Sequence, residues 1–191
     1  MPLITQAIHF LIVTIFDLFI TLILLRFIFQ FIRPNFYHPL TQAIVKLTNP
    51  MVLPLRKIIP SVKSIDTASL ILLISTCLLK LTLSCLIQYH LFPAIGGLLI
   101  WGIGDLLHLT LTLFFWSIII QAVMSWISPY PNHPIYALLS NLTNPLTQPV
   151  KKYIKPISGI DLSPLVVLLG LQLLLMLIAA PLQQAGIAWA I

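Results

Sequence analysis

Leu47-Thr48-Asn49-Pro50-Met51-Val52-Leu53-Pro54-Leu55-Arg56-Lys57 returns ninety-five positions later as Leu142-Thr143-Asn144-Pro145-Leu146-Thr147-Gln148-Pro149-Val150-Lys151-Lys152. The match extends outward at the same offset. His38-Pro39 falls on His133-Pro134, and Ile65-Asp66 falls on Ile160-Asp161. Between Leu25 and Leu70 about fourteen of forty-six positions are identical to their counterparts, well above chance for unrelated segments. The chain therefore reads as two copies of one unit, 1–92 and 93–191.

Each copy has long apolar flanks. Leu3–Arg33, Asp66–Phe92, Ala94–Ser128 and Leu165–Ala180 contain no proline, whereas Pro34, Pro39, Pro50, Pro54 and Pro60, then Pro129, Pro131, Pro134, Pro145 and Pro149, crowd the segments between. Proline is costly inside helices, so the proline-free segments are the helix candidates. Of all residues 59% are hydrophobic and only 7% charged, with a mean hydropathy of +1.06. A soluble domain needs about a quarter of its residues charged. The expectation is an all-α membrane protein with four transmembrane helices, at about 7–33, 66–90, 102–128 and 162–180. Each is long enough for ~30 Å of hydrocarbon. Gly96, Gly97, Gly102 and Gly104 open the third segment, which predicts a short interfacial piece over 94–101 before a bent span. The N-terminus has no basic n-region or small-residue cleavage site, so the first apolar segment is expected to remain as a span.

The charges orient this arrangement. The formal charge is +6, from ten basic and four acidic residues. Arg33, Lys46, Arg56, Lys57 and Lys63 lie in the first loop, 34–65 with its flank, and Lys151, Lys152 and Lys155 in the second, 129–161. The N-terminal tip, the turn near Pro93 and the tail after Pro181 carry none. The positive-inside rule places both basic loops in the cytoplasm and both termini outside. The two hairpins then run in parallel, unlike the inverted repeats of many transporters. Trp101 and Trp189 are expected at the outer interface and Trp126 at the inner one. No nucleic-acid motif accompanies the basic residues, so nucleic acid is not an expected partner. The positive charge suits anionic lipid headgroups, with Arg56, Lys57, Lys151 and Lys152 facing lipid or a partner.

Each loop carries a short amphipathic helix expected to lie at the membrane interface. Leu40, Ala43, Ile44 and Leu47 recur at helical spacing, as do Ile135, Leu138, Leu139 and Leu142. Pro39 and Pro134 suit the first helical position, behind His38 and His133 as caps. Asn49-Pro50 and Asn144-Pro145 are expected to stop these helices, because the residue before proline avoids the α region. Asp66 and Asp161 stand where spans two and four begin, and are expected to cap them. The histidines have no second ligand at metal spacing, so no metal site is expected. Cys77 and Cys85, ~12 Å apart along a helix, are too far apart for a disulfide.

All four acidic residues are aspartates. Asp105 is expected near the outer interface, beside His108. Asp17, counted from Arg33, and Lys80, counted from Asp66, reach similar depths in an antiparallel hairpin, ~24 and ~21 Å from one face. An isolated charge at a helix centre costs about 2.5–3.5 kcal/mol, so an Asp17–Lys80 ion pair is expected, with Arg26 near enough to join the cluster or snorkel away. The second copy has Thr112, Gln121 and Leu175 at these three positions. Two uses fit the cluster: a structural lock between spans, or part of an ion or proton path.

Phe36-Tyr37-His38-Pro39, Thr48-Asn49-Pro50, Pro54 through Pro60 and Ile65-Asp66-Thr67-Ala68-Ser69 resemble the YggT family of bacterial and plastid membrane proteins. Pro145, Pro149, Lys151-Lys152 and Gly159 through Pro164 are similar to that family's second repeat. The family pattern also has an acidic residue, an arginine and a lysine matching Asp17, Arg26 and Lys80. It departs at His38, where Asn is usual, and at Lys63-Ser64, where a Gly-Gly type turn is common. The resemblance implies a bacterial inner-membrane protein without assigned enzymatic activity or cofactor. It links the family to osmotic-stress tolerance, to assembly of a membrane cytochrome complex in plastids, and to division or nucleoid organisation. Two function classes follow. One is a non-catalytic scaffold or assembly factor, with membrane-protein partners or a second copy of itself. The other is an ion channel or transporter component for osmotic balance, using Asp17, Arg26 and Lys80. No nucleophile–base pair or phosphate loop points to an enzyme.

Overall fold

The computed structural model describes residues 3–32, 38–61, 65–127, 134–154 and 161–191. Among them the chain is helical, in the order α1 (Leu3–Ile32), α2 (Pro39–Ile58), α3 (Thr67–Tyr89), α4 (Ile95–Ile127), α5 (Pro134–Tyr153) and α6 (Ser163–Leu174). A π-helical turn (Leu175–Ala179) then leads into α7 (Ala180–Ala190). Arg33, Phe36, Tyr37, Lys63, Ser64, His133, Lys155, Gly159 and Ile160 lie outside the described residues, as does the Trp126 side chain.

Four helical stretches are long and apolar enough to cross a membrane: Leu3–Ile32, Thr67–Tyr89, Ile95–Ser125 and Ser163–Ala190. Their outer residues are large and apolar. Phe10, Ile15, Leu18, Leu79, Trp116, Leu169 and Met176 are all exposed, as suits a surface facing lipid tails. One apolar cluster joins α1, α3 and the start of α4 around Ile20, Ile23, Cys77 and Leu81. A second joins α4 to α6 around Leu111, Ile118, Val167 and Leu171.

Three helix boundaries differ from expectation, each for an identifiable reason. First, α4 runs unbroken from Ile95, with no separate interfacial piece over 94–101. Its glycines are contact points. A Cβ on Gly97 would strike the Ala190 backbone, and one on Gly104 would come within 2.7 Å of Gln183 N. Gly186 returns the contact from α7, where a Cβ would strike the Trp101 backbone. Small residues at these points let the two backbones approach, the usual basis of close helix pairing in membranes. Trp101 is accordingly buried against α7 and not displayed at an interface, whereas Trp189 is exposed. The Ala94 N–H donates to Ala190 O at 2.9 Å and fastens the two ends together.

Second, the last span continues ten residues beyond Ala180 to Ala190. Pro181 cannot donate an N–H to the preceding turn. The widened turn over Leu175–Ala179 absorbs this, with the Ala180 N–H bonding to Leu175 O five residues back.

Third, α2 and α5 do not stop at Asn49-Pro50 and Asn144-Pro145. They continue through two prolines each, Pro50 and Pro54, then Pro145 and Pro149. The proline positions are exposed, and the buried face of α2 is Thr41, Ile44, Thr48 and Val52. The carbonyls that lose their N–H partners lie on the open side of the helix, where polar surroundings can satisfy them. His38 caps α2, its Nδ1 accepting the Leu40 N–H at 3.2 Å.

Candidate functional site

Polar side chains gather at two levels. The deeper is centred on Lys80, 97% buried on α3. Its ammonium donates to Asp17 Oδ1 on α1 at 2.7 Å and to Asp105 Oδ2 on α4 at 2.5 Å. The expected Asp17–Lys80 contact is therefore accompanied by a second carboxylate. Asp105 does not lie near an outer interface with His108. Because α4 begins at Ile95, Asp105 is ten residues, ~15 Å, inside the helix. Cys77 Sγ lies 3.5 Å from Asp105 Oδ2, and Gln183 on α7 donates to Asp105 Oδ1 at 3.4 Å. Four helical segments thus meet at this site.

Arg26 does not join this group. Nine residues, ~14 Å, separate it from Asp17 along α1. It is buried, and its Nη1 donates to Thr48 Oγ1 at 2.7 Å, Asn49 Oδ1 at 2.9 Å and Val45 O at 3.3 Å. These acceptors occupy the turn of α2 immediately before Pro50. Asn49 is therefore a receptor for the Arg26 guanidinium, and not a helix terminus. Thr48 in turn donates to Ile44 O at 2.7 Å.

The same contact recurs in the second half with different chemistry. Thr143 is completely buried and donates to Gln121 Oε1. Gln121 and Thr143 stand ninety-five residues after Arg26 and Thr48. Each loop helix is thus fastened at mid-length to the span before it.

The far end of each loop helix is fastened to the span after it. Arg56 binds Asp66 through two nitrogens, Nε to Oδ1 at 3.2 Å and Nη2 to Oδ2 at 2.5 Å. Ser69 donates to Asp66 Oδ2 at 2.6 Å, and the Asp66 N–H donates to Gln30 Oε1 at 3.0 Å. Asp66 occupies the N-cap position of α3, but its carboxylate caps no backbone N–H there. The guanidinium fork offers two charge-assisted bonds, which compete successfully for the oxygens. Asp161 does both jobs: it pairs with Lys151 at 2.9 Å and accepts the Ser163 N–H at 2.9 Å. Burial alone would raise the Asp66 pKa, but the Arg56 and Ser69 hydrogen bonds outweigh it and hold the carboxyl below its usual range. Burial acts the same way on Asp161, and the bonds from Lys151 and Ser163 likewise leave it lowered.

One cation of each basic pair is therefore engaged. Lys57 and Lys152, with Lys46, remain exposed on the loop helices. Among the described residues no group of three His, Cys, Asp or Glu side chains is placed to hold a metal ion. Asp105, Thr48, Thr143 and Gln183 were not legible as partners, because each needs a helix pairing to acquire its meaning. A weaker signal did exist. Cys77, Lys80, Ser84 and Gln88 are spaced by three, four and four, which puts them on one face of a helix.

A family model described as CCB3/YggT matches residues 5–87 and 100–182. An uncharacterised protein of Pseudomonas aeruginosa is 40% identical over 178 residues, covering 91% of this chain and 88% of its own. A Vibrio alginolyticus protein encoded in the proC 3' region is 39% identical, covering 87% and 90%. Escherichia coli YggT, also uncharacterised, is 35% identical over 184 residues, covering 95% and 94%. No solved structure matches.

Proposed function

The chain belongs to the CCB3/YggT family, and on that premise we propose that it is a non-catalytic scaffold or assembly factor of the bacterial inner membrane. In this proposal two tandem hairpins run parallel and hold their amphipathic loop helices on the cytoplasmic face. Those helices form a docking platform for membrane-protein partners and anionic headgroups. Organisation of membrane complexes or of division, and tolerance of osmotic stress, are the processes such a platform would serve.

One observation carries the proposal. Both loop helices are clamped at two points, α2 by Arg26–Thr48 and Arg56–Asp66, α5 by Gln121–Thr143 and Lys151–Asp161. A helix that only returned the chain along the surface would not need two polar anchors in each copy. Rigid fixing lowers the ordering cost of binding a partner. It leaves Lys57 and Lys152 exposed at corresponding places.

Photo-crosslinking side chains installed at positions 57 and 152 in native membranes test this. A discrete protein adduct is expected from both, weakened when Arg26→Leu releases α2, and no such adduct from lipid-facing Leu169. Equal labelling at all three positions, together with ion flux in proteoliposomes that Asp17→Asn abolishes, would replace the scaffold with a transport component.

A further inference from the structure

Two carboxylates face one ammonium at the deep site, and the surplus charge has a consequence. With Asp17, Lys80 and Asp105 all ionised, the group carries one net negative charge inside the apolar bundle. Compensation would need a cation on a neighbouring element. On α1 Arg26 is committed to Val45, Thr48 and Asn49, and His9, eight residues before Asp17, is held by Ser84 and Gln88. On α3 the adjoining titratable group is Cys77, which adds no positive charge. On α4 His108 is exposed and makes no contact with the site. On α7 the facing group is the neutral amide of Gln183. Among the described residues no second cation reaches the carboxylates. An unbalanced charge in hydrocarbon is strongly disfavoured, so the site is neutral when it holds one added proton.

A polar cluster stands between this site and the start of α1. His9 Nε2 on α1 lies 2.7 Å from Ser84 Oγ and 2.6 Å from Gln88 Nε2 on α3. His9 is half-buried, near the start of α1, and Gln88 is one residue from the end of α3. Ser84 is one helical turn, ~6 Å, from Lys80 on the same face. Asp17 is the most accessible member of the site, its side chain 34% exposed while those of Lys80 and Asp105 are 4% and 13%. On the opposite side the path closes. Over the ~12 Å from Cys77 to Ser69, α3 buries Leu72 and Leu73 in one cluster with Ile20, Ile23 and Leu24 of α1, with Thr76 the one polar side chain buried between.

We infer that the Asp17–Lys80–Asp105 site binds a single exchangeable proton, delivered from the N-terminal face by way of His9 and Ser84. The imidazole takes a proton from water. Ser84 passes it on, releasing its own hydroxyl proton to a bridging water as it receives one from His9, and that water gives up a proton to the carboxylate. The proton ends on the carboxylate pair, turning one carboxylate into a carboxylic acid while Lys80 stays an ammonium. Access from one face makes this a binding site and not a conduit. The inference stands apart from the docking proposal and does not require it.

The test is infrared difference spectroscopy of the full-length protein in lipid bilayers during a pH titration. Only four side-chain carboxyls exist, and Asp66 and Asp161 are each matched by one cation, so the carboxylic-acid region is sparse. Wild-type protein should gain one protonated-carboxyl band while the Cys77 S–H band shifts, since that thiol contacts Asp105. Asp17→Asn and Asp105→Asn should each lose the band, because one carboxylate then balances one ammonium. Lys80→Met should double it. His9→Ala, far from the triad, should leave the endpoint unchanged and slow proton uptake after a pH jump by about a hundredfold, the low end for a positioned proton-transfer group. The proposal is overturned if wild-type protein shows no such band while folded, as neutralisation by a metal cation would produce. A band that survives both Asn variants also overturns it. Uptake at the wild-type rate in His9→Ala overturns the route.

Discussion

Gly186→Ala is, with Gly97→Ala, among the most demanding single-atom perturbations the structure offers. An ideal Cβ at this position would strike Trp101 N and Cα and lie 2.6 Å from Trp101 Cβ. Two of those three atoms are backbone, so no rotamer change can relieve the clash. Ordinary carbon contacts sit at about 3.5–4.0 Å, so α4 and α7 must part by roughly an ångström. Overpacking of this kind costs about 1–3 kcal/mol. The loss should spread along the pair, since Gly97 against Ala190 and Gly104 against Gln183 share the same close approach. Gly96 and Gly170 are internal controls. A Cβ at either meets nothing within 4 Å. Alanine there should stabilise by about 0.5–1 kcal/mol, through backbone entropy alone. Unfolding equilibria measured by steric trapping in bicelles would report both signs on one scale. A Gly186→Ala protein as stable as wild type, or one indistinguishable from Gly170→Ala, would refute the close-packed α4–α7 pair.

Arg26→Leu should destabilise by about 1–3 kcal/mol, the cost of stranding the buried Thr48 and half-buried Asn49 acceptors. Arg26→Gln should recover part of that loss, because Gln121 already serves Thr143 in the second half; equal losses in both variants, read by thermal melting, would show that the contact contributes nothing. The Asp66 carboxyl titrates below its unfolded value of about 3.9. Its contribution is therefore complete above that value and is lost as pH falls through the lower folded pKa. Thermal stability should drop on acidification below about pH 4, and Arg56→Gln should flatten that acid limb by removing the partner; an unchanged acid limb would mean that the pair does not set it.

Much of the architecture was legible without coordinates. Four apolar stretches free of proline and long enough for a bilayer can only be satisfied as helices, since hydrocarbon offers backbone groups no other partner. The similarity of 25–70 to the segment ninety-five residues on marked Thr48 with Thr143 and Asp66 with Asp161 as equivalent positions. Depth counting along α1 and α3 put Asp17 level with Lys80, because rise per residue is nearly constant in a helix.

Other features were decided by packing. Pro50 and Pro145 looked like helix ends, yet their carbonyl partners face outward and both helices run on. The glycines of α4 looked like breaks, yet each of Gly97 and Gly104 meets a backbone on α7 that only a folded bundle supplies. Arg26 was near Asp17 in sequence but its guanidinium turns to α2. Asp105 was far from Lys80 in sequence and close to an apparent interface, but the earlier start of α4 carries it to the ammonium. Sequence by itself determined which segments are long and apolar enough to cross a membrane, because that depends on length and hydropathy, which are local. Tertiary structure alone decided which charges meet, because that depends on how helices are rotated against one another. In this chain that rotation follows from where backbones can touch.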